Sequence, residues 1–144
     1  MTTTTSPAPP APPVPFPSYN IFNAFISCLK RYAKFSGRAC RSEYWYWILS
    51  TCLVGLLPLG IDIAYYGLEA LLNDTTPISD IYNLLTLIPG LAVFVRRMHD
   101  SGRSAWNLLW YLLPFIGWIV IIVFCCRQTA EANKYGDGPD APAA

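Results

Sequence analysis

The sequence predicts an all-α integral membrane protein, in which a three-helix bundle follows an amphipathic helix at the membrane interface. Three observations support this class. Of the 144 residues, 53% are hydrophobic and only 13% are charged, about half the charged fraction of an ordinary soluble domain. Three long uncharged stretches follow one another along the chain. The lysines and arginines gather in the segments that flank these stretches.

The N-terminal region divides into a tail and a helix. Residues 1–18 are rich in proline and carry no charge, a composition that cannot bury enough apolar surface to fold, so we predict a disordered tail. Residues 19–128 form the predicted membrane domain, and residues 19–35 have the spacing of an amphipathic helix with an apolar and a basic face. Such a helix is typical of the headgroup region of a bilayer. The apolar face consists of Phe22, Phe25, Ile26, Leu29 and Ala33.

Three spans are predicted, over residues 44–61, 78–95 and 105–126. The first opens with the aromatic residues Tyr44 to Trp47, which are typical of the membrane–water interface. The third has no charged residue and is long enough to cross about 30 Å of hydrocarbon as one helix. The second is marginal, because its uncharged run, residues 81–95, extends only about 22 Å as a helix.

The charge distribution indicates that the second stretch also crosses the membrane. Lysines and arginines precede the first span and lie between the second and third spans, whereas residues 62–80 contain none. Positively charged loops stay in the cytoplasm, so both basic segments should lie on one face. We therefore predict a cytoplasmic N-terminus and an external, flexible C-terminal tail over residues 129–144.

The two basic segments, residues 35–45 and 96–106, should approach each other on the cytoplasmic face. Both contain arginine and no lysine, and the planar fork of arginine suits bidentate contacts with phosphate or carboxylate. The segments either form a site for a ligand or protein partner, or serve only to orient the chain in the membrane. The predicted site consists of Arg38, Arg41, Glu43, Arg96, Arg97, His99, Asp100 and Arg103.

Catalysis, metal binding and cofactor binding are not predicted. His99 is the only histidine, and the five cysteines form no C-x-x-C pair, so neither a zinc site nor a known catalytic motif is present. His99 adjoins Asp100, but sequence neighbours rarely face each other as a base and its orienting acid. The spans hold no central ionisable group, which disfavours a solitary ion-coupled transporter. A net charge of +1 gives no general attraction to nucleic acid.

Four blocks of sequence occur in the order FSGRACRSEYWYW, LLTLIPGLAVFVRRMHDSGRSAWNLL, PFIGWIVIIVFCC and NKYGDGP. Together they resemble the DUF 805 family of small bacterial inner-membrane proteins, over about residues 19–140. The resemblance implies a multi-pass helical protein of the bacterial inner membrane with no established activity. It implies no catalytic residues.

We therefore expect a non-enzymatic scaffold or partner-binding protein with an arginine-rich cytoplasmic face. The alternatives are a protein that binds an anionic lipid or a small anionic ligand, and one subunit of an oligomeric channel or transporter. The expected partners are the lipid bilayer, anionic lipid headgroups, and an unidentified protein or a second copy of the chain.

Overall fold

The structure, a computed structural model, describes residues 17–113, 115–129, 133–140 and 142. Within these residues the regular elements are four α-helices and two short 3-10 helices, and no strand is formed. The predicted disordered tail lies almost entirely outside the described residues, as does part of the predicted flexible tail over 129–144. The predicted all-α class is confirmed.

Helix α1, Ile21–Lys30, is shorter than the helix predicted over residues 19–35. The Asn20 side chain accepts a hydrogen bond from a backbone N–H of the first turn at 2.8 Å and so caps the helix. The buried residues of α1 are the small ones, Ala24, Ser27 and Cys28. The exposed apolar residues are Phe22, Ile26 and Leu29. Helix α1 therefore packs on the bundle through small residues and directs large apolar side chains outward, as an interfacial helix does.

Helices α2, Arg41–Tyr66, and α3, Pro77–Asp100, are the longest elements. At 1.5 Å per residue they extend about 39 Å and about 36 Å, so by length and composition each could cross a membrane. Leu56 and Leu84 are 62% and 68% exposed, as expected for side chains that face lipid rather than a protein core. Charged residues lie in the first turn of α2 and in the last turns of α3, outside the predicted spans 44–61 and 78–95.

The marginal second stretch forms a full-length helix because α3 continues through its charged residues. Arg96, Arg97 and Asp100 belong to the last turns of α3 and are fully buried. Each has an oppositely charged partner inside the protein. The helix therefore does not have to end where the uncharged run ends, at Val95.

Asp62 joins α2 and α3 at the end of the bundle opposite the basic segments. Its carboxylate accepts hydrogen bonds from the backbone N–H groups of Ile78, at 3.1 Å, and Ser79, at 2.7 Å. Thr76, at the cap position of α3, makes no side-chain cap hydrogen bond. Asp62 therefore satisfies the first N–H groups of α3 from a neighbouring helix and places a negative charge at the positive end of its dipole.

The predicted third span, residues 105–126, is not one continuous helix, and this corrects the prediction. A 3-10 helix, Ala105–Leu112, is followed by α4, Ile116–Cys126. Between them Phe115 has a φ of +64°, a conformation that interrupts a right-handed helix. The sequence also has a proline at position 114, which lacks the N–H that a continuous helix would use. Hydrophobicity and length were sufficient for a span, but the backbone is not helical throughout.

Residues 105–126 fold back on themselves, and we call them the C-terminal hairpin. The Arg103 guanidinium, just before the hairpin, lies 3.7 Å from the centre of the Phe124 ring near its other end. Arg97 Nε donates to the Cys125 carbonyl at 3.1 Å. Both ends of the hairpin therefore lie beside the end of α3. The C-terminal tail consequently starts at the same end of the bundle as the basic segments, and not at the opposite end as predicted.

The packed core also lies at this end of the bundle. The side chains of Trp47, Val93 and Met98 are at most 2% exposed and belong to one buried cluster. Phe25 of α1 stacks on Trp47, with ring centroids 5.6 Å apart. Side chains of α1, α2 and α3 therefore pack together in one core, which lies beside the predicted site.

Candidate functional site

The two basic segments meet at one end of the bundle, as the sequence predicts. The Ala39 N–H donates to the Arg96 carbonyl at 3.1 Å, which joins the segment before α2 to the last turns of α3. Gly37 and Gly102 have φ values of +90° and +72°, so each turn uses a left-handed conformation that glycine adopts without strain. Two glycine turns thus bring residues more than fifty positions apart into one site.

Most of the predicted site residues lie inside the protein. Of the eight, Arg41 is exposed, and His99 and Arg103 are partly buried. The five with no solvent exposure are Arg38, Glu43, Arg96, Arg97 and Asp100. Most arginines of the predicted site therefore face carboxylates and carbonyl groups of the protein itself.

Asp100 is held between two arginines. Arg38 Nε donates to Asp100 Oδ1 at 3.0 Å, and Arg38 Nη2 lies 2.9 Å from the same oxygen. Arg97 Nη1 donates to the other oxygen, Oδ2. Both oxygens therefore accept charge-assisted hydrogen bonds, which are stronger than neutral ones.

Glu43 forms the second centre of charge. Arg96 Nη1 donates to Glu43 Oε1 at 2.7 Å, and Arg31 Nη1 lies 3.8 Å from that oxygen. The Cys28 thiol contacts Oε1 at 3.9 Å. Burial, followed by the Glu43 carboxylate, raises the pKa of the Cys28 thiol to about 12. At neutral pH this thiol therefore stays protonated and is a poor nucleophile.

The C-terminal tail closes the site. Asp140 Oδ2 lies 2.9 Å from Lys34 Nζ and 3.7 Å from Arg31 Nη1. The Asp140 N–H donates to the Arg38 carbonyl, and the Tyr19 hydroxyl donates to the Asp140 carbonyl, both at 3.0 Å. Residues near both ends of the described chain therefore hold one surface together.

His99 packs against the tail. Its ring is stacked on the Tyr135 ring with centroids 3.9 Å apart and an interplanar angle of 7°. Asn133 Nδ2 donates to the His99 carbonyl at 3.1 Å. Because the Asp100 oxygens are bound to arginines, His99 and Asp100 do not form a base and its orienting acid.

Arg97 makes the most widely connected contacts of the site. Its Nη1 donates to the Ala39 carbonyl at 3.4 Å, and its Nε donates to the Cys125 carbonyl at 3.1 Å. Its Nη2 donates to the Arg127 carbonyl. One guanidinium therefore joins the start of α2, the end of α3 and the end of α4.

Two contributors were missing from the predicted site, Asp140 and Arg31. The available signal was charge balance, because the predicted site contained five arginines and only two carboxylates. That excess of positive charge indicated a further acid. Asp140 supplies it, paired with Lys34 and Arg31 and not with the fully buried arginines. Within the described part of the chain, no group of three or more His, Cys, Asp and Glu side chains could hold a metal ion.

Comparison with known proteins gives one family and a set of curated relatives. The family described as "Protein of unknown function (DUF805)" matches residues 32–137. The chain is 42% identical to Inner membrane protein YhaI of Escherichia coli (strain K12) over 123 residues, covering 80% of this chain and 93% of the relative. It is 42% identical to Inner membrane protein YhaH of the same strain over 120 residues, covering 80% and 94%. No solved structure shows a significant match.

Proposed function

The chain belongs to the DUF805 family, and from that premise we infer that it acts as a non-enzymatic scaffold in the bacterial inner membrane. It is an all-α integral membrane protein, with two helices of spanning character and relatives named as inner membrane proteins. The family description assigns no activity. The proposal therefore depends on what the basic end of this chain can do.

In the proposed topology α2 and α3 cross the membrane and the N-terminus is cytoplasmic. The C-terminal hairpin enters the bilayer from the cytoplasmic side and returns to it. Two observations support this arrangement. The segments rich in lysine and arginine lie together at one end of the bundle, and such segments stay in the cytoplasm. The contacts of Arg97 and Arg103 hold both ends of the hairpin at that same end.

The proposed binding surface is a basic platform, defined as α1, residues 31–40, residues 101–104 and residues 133–140. The complete burial of the ion pairs beneath this platform is the observation that carries the proposal. Arg38, Arg96 and Arg97 are 0% exposed and paired with Asp100 and Glu43. Buried ion pairs are stable only in a fixed geometry, so they hold the platform in one shape before any partner binds.

The partner we propose is a protein with an acidic surface. Lys30 of α1 and Lys134 of the tail are exposed on the platform, whereas the buried arginines support the platform without reaching its surface. Exposed cations on a rigid surface favour a partner of opposite charge and speed its association. In this proposal the buried arginines predicted from sequence fix the shape of the platform, and the two lysines contact the acidic partner.

Site-specific photocrosslinking in native membranes tests this proposal. A photoreactive side chain at Lys30 or Lys134 should give a discrete protein adduct. The same side chain at Leu56, which is 62% exposed on the spanning part of α2, should give adducts with lipid only. Charge reversal of the second platform lysine should reduce the adduct several-fold, because close charge pairs across an interface are strongly coupled.

Glu69→Lys provides the matched control, since Glu69 is exposed in the connection between α2 and α3 at the opposite end. This variant should leave the adduct unchanged. A platform that crosslinks only to lipid, or an adduct at either position that survives charge reversal of the other lysine, would reject the scaffold function.

The channel or transporter alternative gains little support from α2 and α3. Residues 44–61 and 81–95 contain no ionisable acid or base among Asp, Glu, Lys, Arg and His. Ion pathways usually place such groups at mid-depth. The anionic-lipid alternative is supported by a separate feature, described next.

A further inference from the structure

A groove of about 270 Å³ runs between α2 and α4 on the surface that would face lipid. Its floor includes Ile121, which is 3% exposed, and its rims include Trp45 and Trp118, at 39% and 57%. Ile48 and Ile122 also line it. The lining is apolar, and the groove is open along its side.

Two exposed arginines, Arg41 and Arg127, lie four residues before Trp45 and two residues after Cys125, which line this groove. Arg41 is the first residue of α2, and Trp45 and Ile48 follow it by four and seven residues, on the same face of the helix. Arg127 comes directly after α4, whose residues form the other wall. Both arginines are exposed, and among the described residues neither forms an ion pair with a carboxylate.

The buried Arg97 fixes the position of both arginines. It donates to the carbonyl of Ala39, two residues before Arg41, and to the carbonyl of Arg127. One guanidinium thus binds the backbone just before α2 and just after α4, the two helices that line the groove. The backbone that carries the two exposed arginines is therefore held in place by Arg97.

The expected depth of Arg41 in the membrane indicates which chemical groups the two arginines can contact. Tyr44 and Trp45 begin the aromatic cluster that marks the interface, so Arg41, one turn before them, lies at the level of lipid headgroups. Guanidinium groups bind phosphate oxygens through forked, charge-assisted hydrogen bonds. A phospholipid needs an apolar surface for its acyl chain and a cationic contact for its phosphate, and the groove together with the two arginines offers both.

We propose that the groove between α2 and α4 binds one anionic glycerophospholipid, with an acyl chain along Trp45, Ile48 and Ile122 and the headgroup phosphate on Arg41 and Arg127. The site does not depend on the proposed protein partner, because it lies on the lipid-facing side of α2 and α4 and shares neither platform lysine. A larger cleft of about 490 Å³ between α2, α3 and the 3-10 helix is lined only by uncharged residues such as Leu87, Leu91 and Leu109. The groove is likewise lined by uncharged residues, but α4 lines the groove and not the cleft. The cleft therefore lacks a wall that leads to Arg127.

Native mass spectrometry of the full chain in a neutral detergent tests the site. The protein is titrated with phosphatidylglycerol and with phosphatidylcholine of identical acyl chains, and the wild type should prefer phosphatidylglycerol. Arg41→Gln/Arg127→Gln should weaken phosphatidylglycerol binding about 25-fold, since each basic residue near an anionic headgroup contributes about fivefold in affinity. Binding of phosphatidylcholine should weaken much less, because its choline cation offsets the charge of the phosphate that both lipids carry.

Two controls distinguish binding in the groove from a general attraction between a basic protein and an anionic lipid. Lys30→Gln/Lys134→Gln removes the same charge from the platform and should alter phosphatidylglycerol binding less than twofold. Ile122→Trp, which fills the groove, should weaken the binding of both lipids, whereas Leu56→Trp on an open lipid-facing surface should not.

The inference fails if wild type binds the two lipids equally, or if both charge-removing double variants lose phosphatidylglycerol to the same extent. It also fails if Ile122→Trp and Leu56→Trp behave alike. Because Arg41 and Arg127 are exposed, their replacement should leave the thermal midpoint unchanged, which excludes unfolding as the cause of lost binding.

Discussion

Arg97 illustrates why the buried positions of this protein carry arginine. Three of its nitrogens donate to four oxygens, which belong to Ala39, Asp100, Cys125 and Arg127. A lysine has one nitrogen on a flexible chain and cannot reach all of them from one position. The Ala39 and Cys125 carbonyl groups would be left buried without a donor, and each unsatisfied buried polar group costs about 1–3 kcal/mol.

Arg97→Lys should therefore lower the free energy of unfolding by about 3 kcal/mol, although it preserves the charge. Equilibrium unfolding in mixed micelles with increasing dodecyl sulfate measures this change. Arg41→Lys, at an exposed position, is the matched control and should stay within about 0.5 kcal/mol of wild type. Equal losses in the two variants would mean that the forked contacts of Arg97 do not stabilise the fold.

Among the elements, the C-terminal hairpin differs most from its sequence-based expectation. It closes because Gly117, at the start of α4, lies against the backbone of the 3-10 helix. A Cβ atom built on Gly117 would collide with the Trp110 carbonyl oxygen and lie 2.7 Å from its carbonyl carbon. The absence of a side chain at this position thus permits the close approach that returns the chain toward Arg97.

Gly117→Ala should destabilise the hairpin, because neither the Trp110 backbone nor the helix can move away cheaply. We expect a loss of about 1–3 kcal/mol, the usual range for overpacking, in the same unfolding assay. Gly60→Ala in α2 is the matched control, since a Cβ there meets nothing within 4 Å. That control should raise stability slightly, as Gly→Ala does within helices. A neutral Gly117→Ala would mean that the hairpin does not pack as described.

At the scale of the whole molecule, polar contacts hold the two long helices, α2 and α3, in place at both of their ends. Asp62 caps α3 at one end, and the ion pairs of Asp100 and Glu43 hold the other. The tail returns to the second of these ends, where Asp140 contacts Lys34. If α2 and α3 cross the membrane, both described ends of the chain lie on the same side of it.

Cysteine labelling with a membrane-impermeant maleimide on intact spheroplasts measures this arrangement. In a background with Cys52 and Cys126 replaced by serine, Glu69→Cys should react from outside. Ser36→Cys and Lys134→Cys should react only after permeabilisation. The native Cys28 and Cys40 cannot serve as reporters, because they are 0% and 4% exposed. Reaction of Lys134→Cys from outside would restore the three-span topology with an external tail.

Part of the fold and of the site could be read from local sequence. Hydropathy and the aromatic cluster at Tyr44 identified the membrane class and the region of the first long helix. Charge asymmetry supported a crossing by the short run ending at Val95. The gathering of both basic segments was also predicted, because it follows from two antiparallel helices and one charge rule.

The sequence by itself determined that the chain is helical, apolar enough for a bilayer, and basic at one end, because these are sums over the properties of individual residues. Only the tertiary structure decided that residues 105–126 return to their starting point, that the arginines are buried, and that Asp140 completes the site. Hydropathy has no direction, so it cannot distinguish a crossing from a hairpin that reverses at Phe115. Burial and ion pairing depend on partners that can lie far along the chain, as Lys34 and Asp140 do, 106 positions apart, and no local pattern specifies such partners.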